Sequence, residues 1–200
     1  MTASGSSSLR IAEALLKRPY DQFPYSILPD GTLLYAEILP KTGRDLWTLS
    51  PDGKPSPVRV TPYNEWAAEF SPGPEGASRW IAYSSDESGQ SEIYVQSYPG
   101  GEKRIPVSTG GGILPMWSPD GRELFYVTGE AVVAVPMRPD GAFGAPRRLS
   151  DQASVLFNNR FHSYSVSPDG KRFLMIQRDP ASVPRQLNVI LDWPDAAGRP

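Results

Sequence analysis

Side chains able to bind a cation or move a proton recur at matched positions along this 200-residue chain. Four turns contain Pro29, Pro72, Pro119 and Pro168, and the residues before each can be compared. Eight residues before the proline stand Asp21, Asn64, Gly111 and Arg160. Seven before stand Gln22, Glu65, Gly112 and Phe161, and six before stand Phe23, Trp66, Ile113 and His162. Three before stand Ser26, Glu69, Met116 and Ser165. Asp21, Asn64, Glu65, Glu69 and Asn159 offer oxygen ligands suited to Ca²⁺, and His162, the single histidine, would extend the set to Mn²⁺ or Zn²⁺. A cation held by Glu65, Asp21, His162 and Asn159 could polarise an ester, lactone or phosphotriester and activate water. Glu65, His162 and Glu69 are then the catalytic candidates. A second use of the same positions is recognition without turnover, with Asp21, Asn64, Trp66 and Arg160 holding a protein, peptide or small molecule.

Each of these residues also has a structural reading. His162 occupies a slot filled elsewhere by Phe23, Trp66 and Ile113, which suits a packing ring. Glu65 and Asp21 could bond backbone amides where strands begin. Glu69, within a strand, needs a partner if it is buried. Trp47, Tyr63, Trp66, Tyr98 and Trp193 could form a binding rim or pack between sheets.

The positioning elements follow from the turns themselves. Leu28-Pro29-Asp30-Gly31, Ser71-Pro72-Gly73-Pro74-Glu75-Gly76, Ser118-Pro119-Asp120-Gly121 and Ser167-Pro168-Asp169-Gly170 each precede an apolar run. Their prolines lie 43, 47 and 49 residues apart, the period of one four-stranded propeller blade. Proline presets φ, aspartate bonds the backbone two residues on, and glycine takes the positive φ that closes the turn. Pro51-Asp52-Gly53 and Pro139-Asp140-Gly141 repeat this chemistry between the third and fourth strands of a blade. The chain holds 22 prolines and 18 glycines, which here punctuate apolar runs and so indicate short strands rather than disorder.

The predicted fold is all-β: a single β-propeller domain over 1–200, with about four four-stranded blades. Blade 1 covers about 19–61, blade 2 about 62–108, blade 3 about 109–150 and blade 4 about 158–193. The predicted strands are 25–28, 33–38, 45–49 and 58–61; 65–70, 79–84, 92–97 and 103–107; 113–117, 123–128, 132–137 and 147–149; and 161–166, 172–177 and 187–191. The last blade lacks a fourth strand. Pro19-Tyr20-Asp21-Gln22-Phe23 matches Pro62-Tyr63-Asn64-Glu65-Trp66, so Leu9–Leu16 is expected to supply that strand, closing the ring. The alternative for Leu9–Lys17 is a short amphipathic helix. A neighbouring chain could also complete the blade, giving a homo-oligomer or strand-swapped assembly.

Several classes drop out. The net charge of −2 gives no nucleic-acid footprint. The absence of cysteine removes disulfide and thiolate chemistry. No apolar run approaches the roughly 20 residues of a membrane span, so the chain reads as soluble, in either the cytoplasm or the periplasm. There is no Gly-x-Ser-x-Gly elbow for a serine hydrolase. Gly110-Gly111-Gly112 leads into a strand, not a helix, which argues against a phosphate loop.

Ser85-Asp86-Glu87-Ser88-Gly89-Gln90-Ser91-Glu92-Ile93-Tyr94-Val95 resembles the TolB-type, Pro-Asp-rich branch of WD40-like propellers. Thr61-Pro62-Tyr63-Asn64-Glu65, Ser108-Thr109-Gly110-Gly111-Gly112 and Arg122-Glu123-Leu124-Phe125-Tyr126 are similar to the propeller that ends certain bacterial Ser/Thr protein kinases. No kinase motif is present. The resemblance implies a ligand- or protein-binding module using its channel rim. The alternative it leaves is a small metal-dependent hydrolase at that rim.

Overall fold

A computed structural model of the chain describes residues 16–73, 78–129, 131–138, 140–149 and 164–175. They form antiparallel sheets, and no helix occurs among the described residues. The first sheet is β1 (Gln22–Ile27), β2 (Leu33–Leu39), β3 (Gly43–Leu49) and β4 (Pro55–Arg59). The second is β5 (Glu65–Phe70), β6 (Trp80–Ser85), β7 (Glu92–Ser97) and β8 (Arg104–Pro106). The third is β9 (Ile113–Trp117), β10 (Glu123–Thr128), β11 (Ala131–Pro136) and β12 (Arg147–Arg148). The described portion of the fourth is the pair β13 (Tyr164–Val166) and β14 (Phe173–Met175). Within each sheet, strands follow in chain order, the meander of a propeller blade. Leu9–Leu15 and the predicted strand 187–191 lie outside the described residues.

The turns that set the repeat are built as their composition requires. In the third sheet, Gly121 N donates to Ser118 O at 2.8 Å, and Arg122 N donates to Asp120 Oδ1 at 3.1 Å. Gly121 sits at φ +69°, where a Cβ would stand 3.2 Å from Pro72 O, so the turn of one repeat packs on the proline of the previous one. Gly170 repeats the contact on Pro119, with Cδ 3.6 Å from its would-be Cβ. The turns of the second, third and fourth repeats thus stack head to tail.

Three apolar clusters join consecutive sheets. Leu34, Ala36 and Leu46 of the first sheet meet Phe70, Ile81, Tyr83 and Tyr94 of the second. Ala82, Ile93 and Val95 on the other face of that sheet meet Trp117, Leu124, Tyr126, Val133 and Val135 of the third. Phe125, Val127, Val132 and Ala134 then meet Tyr164 of the fourth, with Trp66 and Leu114 closing the cluster inward. Strands buried on both faces explain the near-continuous apolar runs of β6, β10 and β11.

The innermost strands carry a feature that alternation alone does not reveal. The register of β5 on β6 shifts between Trp66 and Glu69, so two residues, Ala67 and Ala68, stand opposite the single Tyr83. Ala67 takes φ 51°, and Leu114, at the same repeat position in β9, takes φ 56°. The first strand shifts register between Pro24 and Ser26, again about five residues before the turn proline. Each is a β-bulge, and each reverses which face the residues on either side of it occupy.

Candidate functional site

The four residues three before each turn proline meet in one place. Ser26, Glu69, Met116 and Ser165 line a cavity of about 490 Å³, one from each repeat. Pro29, Pro72 and Pro119 also line it, which puts the cavity at the turn-side end of the inner strands. Ser26, Glu69 and Ser165, with Ser71 and Ser118 of the turns, put polar side chains on a wall that Ile27, Phe70, Met116 and Val166 make apolar. An apolar pocket with a few convergent polar groups is the common form of a ligand site.

Among the described residues Glu69 is the one carboxylate lining this cavity. Its Oε2 accepts from Trp117 N at 2.8 Å, while Trp117 Nε1 donates to Glu69 O at 3.4 Å. Ser26 has the equivalent role in the preceding repeat, its Oγ accepting from Phe70 N at 3.4 Å. Both inner strands thereby supply a side-chain acceptor to the edge of the next. Burial pushes the Glu69 carboxyl up to about 7, and the bond from Trp117 N pulls only partly against it. A carboxyl near neutrality can exist in either protonation state at working pH.

Glu65 lies elsewhere. It faces the first sheet together with Tyr83 and Phe70, whereas Glu69 shares the opposite face with Ala82. Without the bulge at Ala67 the two carboxylates, four residues apart, would share a face. Glu65 is fully buried, its Oε1 accepts from Thr61 Oγ1 at 2.6 Å, and its Oε2 has no hydrogen-bond partner. Burial raises it to about 7; Thr61 lowers it and Asp45 adds to the rise. Nearby, Glu87 pairs with Arg59 at 3.2 Å and also with Arg104, whose Nε donates to Tyr83 OH at 2.8 Å. This charged cluster joins the first two sheets.

The remaining candidates divide. Asn64 is exposed but engaged: its Oδ1 accepts from Arg44 N at 3.2 Å and its Nδ2 donates to Asp86 Oδ2 at 2.8 Å. Asp21 is exposed just before β1, where its carbonyl accepts from Ile38 N at 3.0 Å. Trp66 is buried in the cluster shared with Leu114 and Phe125. Trp47 lies under the Arg18 guanidinium, 5.1 Å from the ring centre, and Tyr98 packs on Phe70 at 5.0 Å. Tyr63 is exposed. Asn159, Arg160, His162 and Trp193 lie outside the described residues. Among the described residues, no three His, Cys, Asp or Glu side chains converge as a metal-binding set. No helix among them is long and apolar enough to cross a membrane.

Two buried carboxylates are not apparent from the sequence alone. Asp45 in β3 accepts from Thr42 Oγ1, and from Thr61 N at 3.1 Å. Glu92, at the matching place in β7, accepts from Ser108 Oγ, and from Gly110 N and Gly111 N at 2.8 and 2.9 Å. Each acid ties the third strand of one blade to the segment entering the next. The glycine-rich segment therefore does cradle an anion, but that anion is the Glu92 side chain. The matched spacing of Asp45 to Thr61 and Glu92 to Ser108 is the signal that could have found them.

No protein-family model and no curated protein matches the sequence. Solved structures match its fold. TolB from Acinetobacter baumannii aligns with a TM-score of 0.61 at 17% identity, over 84% of this chain and 40% of that one. A TolB structure from Agrobacterium tumefaciens aligns with a TM-score of 0.54 at 22% identity, over 70% of this chain and 54% of that one. At these identities the likeness is one of fold. The chain spans about half or less of the length of these relatives.

Proposed function

We propose that this chain, a β-propeller of the TolB fold type, is a binding module that takes a cationic group into the turn-side end of its channel. The observation that carries the reading is the convergence of Ser26, Glu69, Met116 and Ser165 on one cavity. The positions are equivalent in the repeat, yet their side chains differ, so the cavity is polar on some sides and apolar on others. Such asymmetry selects one orientation of a ligand.

Glu69 is the anchor. Its carboxylate is held by a hydrogen bond from Trp117 N, which lowers the entropy lost on binding. Burial has removed part of its hydration, so an arriving ammonium or guanidinium meets a charge that water screens weakly. Ser26 and Ser165 offer hydroxyls to the same group, and Met116 with Phe70 covers its aliphatic stem. The ligand class is a peptide or small molecule ending in a basic side chain or amine.

Calorimetric titration of lysine-containing tripeptides, against acetyl-lysine and glutamate counterparts, tests this. The lysine peptide should bind, and Glu69→Gln should weaken it at least tenfold. Equal binding of the acetylated peptide, or of Glu69→Gln to the lysine peptide, would overturn the reading.

A further inference from the structure

Across Pro72 and Gly73 from the Glu69 cavity lies a second cavity, of about 500 Å³, between the second and third sheets. Arg79 leads into β6, Arg122 leads into β10 and Arg138 follows β11, and all three residues border it. Pro72, Trp80 and Met137 provide apolar lining. Lys103 adds a fourth cation, its Nζ 5.5 Å from the centre of the Trp80 ring. Among the described residues no carboxylate pairs with Arg79 or Arg138. Arg122 reaches Asp120 at 3.8 Å, with both side chains mostly exposed, a pair worth little in water. Among the described residues Asp120 is the one acid on the wall, and it is engaged by Ser118 Oγ at 2.7 Å and Arg122 N at 3.1 Å. Asp140 nearby is engaged by Ala142 N at 2.9 Å.

We propose that this cleft docks an acidic peptide segment of a partner protein, with an apolar side chain set between its carboxylates. Charge complementarity selects the sign, because among the described residues three arginines line the cavity with Lys103 beside them, against Asp120 on the wall and Asp140 nearby, both engaged. Arginine favours carboxylates through its planar fork of donors. The apolar lining selects a peptide over a compact oxyanion. A compact oxyanion draws on convergent backbone amides as well as on arginines, and two amides at this end of the cleft are already engaged: Gly121 N donates to Ser118 O at 2.8 Å and Gly141 N to Arg138 O at 2.9 Å. What remains is a spread of flexible cationic ends over Pro72, Trp80 and Met137, which fits an extended chain with alternating acidic and apolar residues. This site stands apart from Glu69 and does not require the channel to bind anything.

The test is fluorescence anisotropy of the full chain with a labelled Glu-Glu-Leu-Glu-Glu peptide at low salt. Binding should weaken at least tenfold in the Arg79→Ala/Arg122→Ala double variant, and weaken in Arg138→Ala. It should also weaken with added salt and stay unchanged in Glu69→Gln. Arg79→Lys/Arg122→Lys, which retains the charge, should fall between wild type and the alanine variant. Absence of binding, or equal binding by the alanine variant, would overturn the proposal. So would displacement by inorganic pyrophosphate at the peptide's own concentration, since that marks a compact anion site. If the alanine variant fails to fold, the salt dependence and the lysine variant decide.

Discussion

The Oε2 of Glu69 in the second sheet accepts a hydrogen bond from the backbone N of Trp117 in the third, at 2.8 Å. One carboxylate thus serves two purposes, bridging adjacent inner strands and presenting charge to the channel cavity. Removing the acceptor should cost more than removing the charge. Glu69→Ala leaves Trp117 N unpartnered and is expected to cost about 1–3 kcal/mol of stability. Glu69→Gln keeps an acceptor and should stay within about 1 kcal/mol of wild type. Urea unfolding of the two variants measures the difference.

Stability should fall as pH rises from about 4.5 to neutrality. Burial raises Glu65 and Glu69 from 4.5 to about 7 in the fold. Between those values the folded chain binds more protons than the unfolded chain, so each group's ionisation works against folding. The loss begins near the ordinary carboxyl pKa of about 4.5 and is complete above about 7, amounting to at most about 3 kcal/mol for each. Glu65→Gln should flatten the profile of melting temperature against pH between about 5 and 8. An unchanged slope in that variant would assign the dependence to other groups.

Glu92→Ala should be among the more damaging single changes. Its carboxylate satisfies Gly110 N, Gly111 N and the Ser108 hydroxyl while itself buried. Losing it orphans those donors where the second sheet passes to the third, at a cost of about 2–4 kcal/mol. Glu92→Gln, retaining one acceptor oxygen, should recover part of that, as thermal unfolding will read.

Gly121→Ala tests the stacked turns. At φ +69° an alanine is strained, and its Cβ would press on Pro72 O at 3.2 Å. A loss of about 1–2 kcal/mol is expected. Gly53→Ala shares the positive φ, at +80°, but has nothing within 4 Å, so it should lose less. The gap between the two isolates the contact between repeats.

How far the sequence could be read depends on what each signal encodes. The Pro-Asp-Gly turns specify local geometry, so the strand order was legible and β5, β7, β9 and β10 match the expected bounds, whereas β1 and β4 each begin three residues earlier than expected. The grouping of Ser26, Glu69, Met116 and Ser165 was legible too, because turn prolines give a common origin for counting. Glu65 was not, because a bulge at Ala67 reverses the strand face and alanine carries no mark of it. Asp45 and Glu92 resemble solvent-facing acids at strand starts. Their burial depends on Thr61 for the one and on Ser108, Gly110 and Gly111 for the other, a relation that only the matched repeats could expose.

If Glu69 anchors a cationic ligand in the channel, binding must follow the ionisation of its carboxyl. The lysine tripeptide should be titrated calorimetrically into wild type and Glu69→Gln from about pH 5.5 to 8.5, a range that brackets the ionisation. Affinity should rise about tenfold through pH 7 in wild type, as the carboxyl at about 7 ionises, and stay weak and flat in the variant. Equal affinity at both ends of the range in wild type, or the same rise in Glu69→Gln, would contradict it.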